Sequence, residues 1–233
     1  MKRSTRAAGA AVLLTALATG CRHMEVATPL PADWGSLIAP PVAFAALYRL
    51  DCCRLTNLLA TIRSDGSHLR VSVAAPPGGT VLDAWLTTGN GWLTRNGGRC
   101  TQTLPPDTLP LAEGRLLPLD VGTAAFVLSG RLPAGAAPRP GEPGWVSVGR
   151  GPVELAWRVG GSPPRCTAFE MRRAATGELL IRGELADHHG RVPGTLRFEI
   201  GSEDIGLELA EWQPGVEPVQ PPWTGAPSCG ASP

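Results

Sequence analysis

The chain has 233 residues, a formal net charge of +1 and a hydrophobic content of 43%. This near-neutral charge, without any basic run, excludes the electrostatic footprint of a nucleic-acid-binding protein. The 29 glycines and 24 prolines favour many short strands joined by turns over long helices.

The N-terminus has the pattern of an export signal. Three basic residues among the first six precede an apolar run over residues 10–18, which is too short to span a bilayer. Ala18-Thr19-Gly20-Cys21 follows and resembles the bacterial lipobox, in which the cysteine thiol accepts diacylglycerol. The resemblance implies a signal peptide over residues 1–20 and lipidation of Cys21 with two or three chains, which is enough for stable anchoring. By resemblance to enterobacterial sorting rules, Arg22 in place of Asp argues against retention at the inner membrane, so we expect the outer membrane, at its periplasmic face.

Five cysteines follow the lipobox: Cys52, Cys53, Cys100, Cys166 and Cys229. The oxidising periplasm permits disulfides, but an odd number leaves one thiol free or paired between chains. Adjacent cysteines in a strand point to opposite faces, so Cys52 and Cys53 would need separate partners. The pairing stays open at this point. No Cys-x-x-Cys spacing occurs, and no metal site is expected.

Residues 21–41 are rich in Ala and Pro and are predicted to form a lipidated tether, with one helical turn at Trp34–Ile38. From residue 42 apolar and polar residues alternate with the period of two that indicates strands. The predicted strands of this half are Phe44–Cys53, Leu58–Arg63, Leu69–Ala75, Thr80–Thr87, Trp92–Arg95 and Arg99–Thr103.

The periodicity becomes helical between Leu116 and Leu132, with Asp120 as the candidate N-cap and Gly130 near the end. The apolar stripe of this helix contains Val121, Ala124, Ala125, Val127 and Leu128. Strands are then predicted over Gly144–Arg150, Val153–Val159, Cys166–Ala174, Glu178–Ala186, Thr195–Ile200 and Ile205–Glu211. Residues 214–233 are Pro-rich and are predicted to lie extended along the surface.

About eleven strands, nearly all neighbours in sequence, predict a mainly β domain over residues 42–213, an antiparallel meander with one helical insert. A meander of this length curls, and its concave face must be filled. The opposite face carries charged residues, Glu170 among them, and is predicted to be wet. The concave face is predicted to contain Leu69, Val71, Val73, Leu155, Trp157, Phe169, Met171, Leu196 and Phe198.

Two interpretations of this apolar face remain open. In one, the helix plugs the face into a dry core, which periodicity alone favours. In the other, the helix covers it only in part and leaves a cavity for acyl chains.

The order of these features resembles the LolA/LolB fold of lipoprotein carriers and receptors, an unclosed antiparallel β-barrel with a helical lid over a hydrophobic cavity. Three stretches carry the resemblance: residues 69–80 as strand, Pro-x-Gly turn and strand, residues 116–133 as the helical insert, and Ile205–Trp212 as the last strand before a Pro-rich tail. In LolB-like receptors a bulky apolar residue in the Pro-x-Gly turn contacts the membrane. Pro77, apolar but short, takes that position here.

The resemblance implies a non-enzymatic carrier or receptor that binds lipid or the acyl chains of lipoproteins. Val121, Ala124, Val127 and Leu128 would lie on its lid. The alternative is a structural or assembly lipoprotein that docks a periplasmic protein on the same sheet, without lipid cargo. Asp187-His188-His189 could offer ligands or a base, but it lies in a predicted turn. No nucleophile elbow, zinc-protease motif or phosphate-binding loop occurs, so neither an enzyme nor a cofactor is expected.

Overall fold

The computed structural model of the chain describes residues 28–52, 55–76, 78–95, 101–105, 108–110, 116–117 and 119–215. The predictions for residues 1–27, including Cys21, and for the tail beyond residue 215 lie outside the described residues. The same holds for Pro77, Cys53, Cys100 and Cys229.

The described chain is mainly β, with one α-helix, α1 (Val121–Ser129), and one 3-10 turn at Trp34–Leu37. The strands of the first half are β1 (Phe44–Cys52), β2 (Leu55–Ser64), β3 (His68–Ala75), β4 (Gly79–Thr87), β5 (Gly91–Arg95), β6 (Thr101–Leu104), β7 (Leu109–Pro110) and β8 (Leu116–Leu117). Those after α1 are β9 (Ala137–Pro138), β10 (Trp145–Arg150), β11 (Val153–Gly160), β12 (Arg165–Arg173), β13 (Leu179–Ala186), β14 (Thr195–Ile200) and β15 (Glu203–Pro214). Each predicted strand overlaps an observed one, and the strands not predicted are β7, β8 and β9, of two residues each.

Thirteen strands form a single sheet in the order β6-β5-β4-β3-β2-β1-β15-β14-β13-β12-β11-β10-β9, while β7 and β8 pair separately. Neighbours in the large sheet are neighbours in sequence except for β1 and β15, which pair antiparallel from Phe44↔Pro214 to Cys52↔Ile205. The two outer strands, β6 and β9, flank the segment that carries α1. The predicted mainly β class, with an unclosed antiparallel sheet and a single helix, is confirmed.

One hydrophobic cluster joins α1 to side chains from both halves of the sheet. A flat sheet of thirteen strands could not bring its two halves into one cluster, so the sheet curls around the helix. We call the side of the sheet that faces this cluster the core face and the opposite side the outer face. Leu69, Leu155 and Met171 on the core face are at most 2% exposed, and each such side chain contributes about 1.5–3 kcal/mol on burial.

Helix α1 is shorter than the helix predicted over residues 116–132. It begins where Asp120 caps it, because an Asp120 carboxylate oxygen accepts from the Thr123 backbone N–H at 2.9 Å. It ends where Gly130 adopts φ +64 and the Arg131 N–H donates to the Phe126 carbonyl at 3.0 Å, a Schellman ending. Leu116 and Leu132, the ends of the predicted helix, lie instead in β8 and in a bridge to Ile38.

Eight of the nine residues of α1 are buried. The buried surface therefore extends beyond the predicted stripe to Thr123, Phe126 and Ser129, and the Ser129 hydroxyl donates to the Ala125 carbonyl at 2.6 Å. A helix buried on all sides lies inside a core rather than on its surface. No helix in the described part of the chain is both long and apolar enough to cross a membrane.

The second part of the predicted tether packs against the domain. Leu37 is fully buried, and its carbonyl accepts from the Leu132 N–H at 3.0 Å, while Leu30 and Trp34 pack against the core. These apolar side chains cover core surface that would otherwise face water. The folded domain therefore begins before residue 42, where the sequence pattern placed its start.

The expectation that the charged residues of the outer face are wet is wrong for Glu170, which is only 4% exposed. Its carboxylate lies 2.8 Å from Nη2 of Arg172, 3.4 Å from Nη2 of Arg182 and 3.8 Å from Nη1 of Arg139. Long arginine side chains can cover a neighbour with their stems while their charged ends stay partly in water. Here they come from two strands and a loop and enclose one carboxylate.

Candidate functional site

The nine predicted cavity residues all lie on the core face, so the sheet brings them together. Leu69, Val73, Leu155, Trp157, Phe169, Met171 and Leu196 are buried, while Val71 and Phe198 are partly exposed. The predicted lid residues Val121, Ala124, Val127 and Leu128 are buried in the same cluster. Ligand binding at this face and movement of the helix stay predictions.

The core face is covered unevenly. Ile205, Leu207 and Leu209 on β15 and Phe198 on β14 are partly exposed, although they pack against the core. We call these four residues the apolar strip. The residues paired with Leu207 and Leu209 on the neighbouring strands, Leu196 and Tyr48, are fully buried. Of these four residues only Phe198 was predicted to line the cavity, although the alternation of Ile205, Leu207 and Leu209 is a readable signal for the others.

Two buried polar atoms on the core face make no hydrogen bond in the described structure. They are the hydroxyl oxygen of Tyr48 and Nε1 of Trp157, and both residues are 0% exposed. Burial raises the pKa of Tyr48, so its hydroxyl stays protonated. The Trp157 ring is held at 5.4 Å from the ring of Phe169, centroid to centroid. The alternation predicts Trp157 on this face, whereas Tyr48, the single tyrosine of the chain, was not among the predicted site residues.

Both ends of α1 are also held by polar and backbone contacts. At its start, Asp120 lies 3.7 Å from Nη1 of Arg150 at the end of β10. At its end, Gly130 packs directly against the carbonyl of Arg191, and the Cys166 thiol donates to the Gly130 carbonyl at 3.7 Å. Any movement of α1 out of the sheet has to break these contacts.

The Asp187-His188-His189 segment lies in the loop between β13 and β14, and its members have separate partners. Nε2 of His188 donates to the Cys166 carbonyl at 2.9 Å, and Asp187 accepts from the Thr195 hydroxyl at 2.7 Å. His189 pairs through its backbone with Val192. Burial is the main cause that lowers the pKa of His188. Within the ranges that the structure describes, no group of three or more His, Cys, Asp or Glu side chains is arranged to hold a metal ion.

Cys166 is a free thiol and is fully buried on β12. Burial raises its pKa to about 12, so the thiol stays protonated and unreactive near neutral pH. It therefore accounts for one unpaired cysteine among the five that follow the lipobox.

No protein-family model matches the sequence, and no curated protein matches it. Among solved structures, the chain is similar to the crystal structure of a domain from Vibrio parahaemolyticus that is provisionally described as an outer membrane lipoprotein-sorting protein domain. The match has 10% sequence identity and a TM-score of 0.32, and it covers 79% of this chain and 91% of the other. A likeness at this level carries no argument about function.

Proposed function

We propose that this chain is a membrane-anchored, non-enzymatic protein that binds lipid, or the acyl chains of lipoproteins, against its core face. It would act as a LolA/LolB-like carrier or receptor in outer-membrane lipoprotein or lipid trafficking. The observation that supports this function is the apolar strip, Phe198, Ile205, Leu207 and Leu209, which stays partly exposed beside a large apolar core. Apolar side chains that stay partly exposed side by side are candidates for a binding surface.

Removal of acyl chains from water would drive binding, at about 0.8 kcal/mol for each buried methylene. A chain with about ten buried methylenes would gain about 8 kcal/mol before the cost of displacing side chains and ordering the ligand. Because this force has no direction, chains of different length and saturation should be accepted.

Helix α1 would act as the lid of the site. It fills the core face in the structure, so a bound chain would have to take over part of the contacts that α1 now makes. The Asp120–Arg150 pair and the packing of Gly130 on Arg191 would hold the lid in place. The lid would open only when the binding free energy of the ligand offsets the loss of these contacts. Loading and release would then depend on how easily these two ends open.

Lipidation at Cys21 would hold the domain close to the membrane. Among the described residues, Leu30 is the first that packs against the core. Eight residues lie between it and Cys21, and this length of chain reaches at most about 30 Å. A domain on so short a tether suits a receptor fixed at the outer membrane better than a carrier that diffuses between membranes.

The proposal is tested with the full chain carrying Cys21→Ser, which removes the thiol that would accept lipid. We expect it to bind N-phenyl-1-naphthylamine with a rise in fluorescence and to release the probe when a fatty acid is added. Leu207→Asp places a charge in the apolar strip and should weaken probe binding at least about tenfold.

The matched control is Leu59→Asp, the same exchange at a leucine that is 44% exposed on the outer face. It should leave the affinity unchanged. Absence of probe binding, together with absence of co-purifying lipid in native mass spectrometry, would refute the proposal. The docking scaffold without lipid cargo would then be the better hypothesis.

A further inference from the structure

We propose that the core face recognises the carbonyl groups of acyl esters and amides, through hydrogen bonds donated by the Tyr48 hydroxyl and the Trp157 indole N–H. This inference rests on the proposed function and deepens it. It assigns a ligand that has carbonyl-linked acyl chains, rather than any hydrocarbon.

The starting observation is that these two donors are buried without an acceptor in the described structure. A buried polar group without a partner destabilises the folded state, whereas an apolar side chain of the same shape would not. Phenylalanine already occupies the core face at Phe44 and Phe169, so an aromatic ring without a polar atom fits these surroundings. The presence of two unpaired donors in this apolar face is explained if a bound ligand supplies their hydrogen-bond acceptors.

The sheet places Tyr48 next to the partly exposed side of the core face. It lies on β1 directly opposite Leu209, a member of the apolar strip, and opposite Ala60 on β2. A chain that enters along the apolar strip would therefore pass the Tyr48 hydroxyl.

Trp157 lies on β11, five strands along the sheet from β1. At about 4.8 Å between strands, that is roughly 24 Å along the curled surface. The proposal therefore assigns each donor its own carbonyl group, which corresponds to a ligand with at least two acyl chains.

The chemistry of the two donors selects a neutral acceptor. An indole N–H can only donate, and the Tyr48 hydroxyl stays protonated because its burial raises the pKa. A carboxylate or phosphate would bring an unpaired charge into the apolar cluster, which is costly without a cation. An ester or amide carbonyl brings two lone pairs and no charge. Phospholipids and acylated cysteine peptides both have such carbonyls.

The test compares two lipids that differ only in this group, with the full Cys21→Ser chain as the protein. Diheptanoyl-phosphatidylcholine has two ester carbonyls, and its diheptyl ether analogue has none. Each is titrated below its micelle concentration against bound N-phenyl-1-naphthylamine, which has no carbonyl. The unmodified site should prefer the ester, and Tyr48→Phe and Trp157→Phe should each weaken ester binding about two- to tenfold while changing ether binding little.

Trp85→Phe is the matched control. Nε1 of Trp85 is also buried without a partner, but Trp85 lies on the outer face of β4, where its ring stacks on His68 and is tilted against Trp92. Its loss should leave the ester-to-ether ratio unchanged. A triacylated cysteine peptide, titrated in the same way, separates the two sources of ligand: a larger effect of Tyr48→Phe on the peptide than on the phospholipid would identify lipoprotein as the cargo.

The stability of the free protein gives a second readout. Because the Tyr48 hydroxyl has no partner, Tyr48→Phe should not lower the melting temperature. A lower melting temperature would show that the hydroxyl is bonded in the free protein and would overturn the inference. Equal ester and ether affinities in the unmodified site would also overturn it while leaving the proposed function intact, whereas failure to bind the naphthylamine probe would overturn both.

Discussion

Gly130 is the residue at which α1 meets the loop between β13 and β14, and its replacement by alanine tests how tightly the helix is held. Its φ is +64, and an ideal Cβ would lie 1.9 Å from the Arg191 carbonyl oxygen. Gly190 in the same loop has φ +68, and nothing lies within 4 Å of its ideal Cβ. Gly130→Ala and Gly190→Ala therefore share the penalty of a left-handed backbone, about 1–2 kcal/mol, and differ in the steric contact.

At Gly130 the helix end and the loop must move apart by about 1 Å before the new methyl group fits. Overpacking of this kind costs about 1–3 kcal/mol. We therefore expect Gly130→Ala to lower the free energy of unfolding by about 2–5 kcal/mol, against about 1–2 kcal/mol for Gly190→Ala. Urea unfolding followed by tryptophan fluorescence measures both variants. Equal losses would show that α1 is not held against this loop in solution.

Three further predictions concern charged and titratable groups. Glu170→Ala should lower the free energy of unfolding by about 2 kcal/mol, since three arginines lose a buried partner. The control, Glu208→Ala, removes an exposed ion pair and should lower it by less than about 0.5 kcal/mol. Similar losses for the two variants in urea unfolding would contradict the prediction for Glu170. Burial raises the pKa of Cys166 to about 12, so iodoacetamide at pH 8 should modify this cysteine only after the protein unfolds. The stability that the buried thiol contributes should be lost as the pH rises from 9 towards 12. Modification of the native protein would argue against burial. Burial lowers the pKa of His188 below its ordinary value of 6.5, so the contribution of this residue to stability should be lost as the pH falls below 6.5. His188→Gln should therefore flatten the pH dependence of the melting temperature between pH 7 and pH 5. An unchanged slope would show that His188 is not the source of that pH dependence.

Strand positions could be predicted because alternation is local. Leu69–Ala75 was predicted where the structure has His68–Ala75, and the ends of α1 follow from two residue types, an Asp that caps and a Gly that adopts positive φ. The same alternation assigned Trp157 and Leu196 to the core face correctly. These features depend on a few neighbouring residues and can be read from them.

Other features depend on residues that are distant in sequence. The burial of Glu170 needs arginines from three separate places, and nothing near Glu170 in the sequence indicates all of them. Leu37 is buried because Leu132 and its surroundings lie over it, although it belongs to a Pro-rich stretch without periodicity. The pattern also places Tyr48 on the core face, but the lack of an acceptor for its hydroxyl is a property of the whole surrounding cluster.

The pairing of β1 with β15 governs the order in which the domain can fold. β1–β6 and β10–β15 are two series of local hairpins, whereas Phe44 and Pro214 are 170 residues apart and pair across the middle of the sheet. Single hairpins form in microseconds, but contacts between residues so distant must first overcome the entropy of closing a long loop. We expect the two half-sheets to form first and to join last along β1 and β15. During synthesis, which proceeds from the N-terminus, one edge of β1 stays unpaired until residue 214 has been made. The risk of aggregation is therefore greatest in the period before β15 is complete.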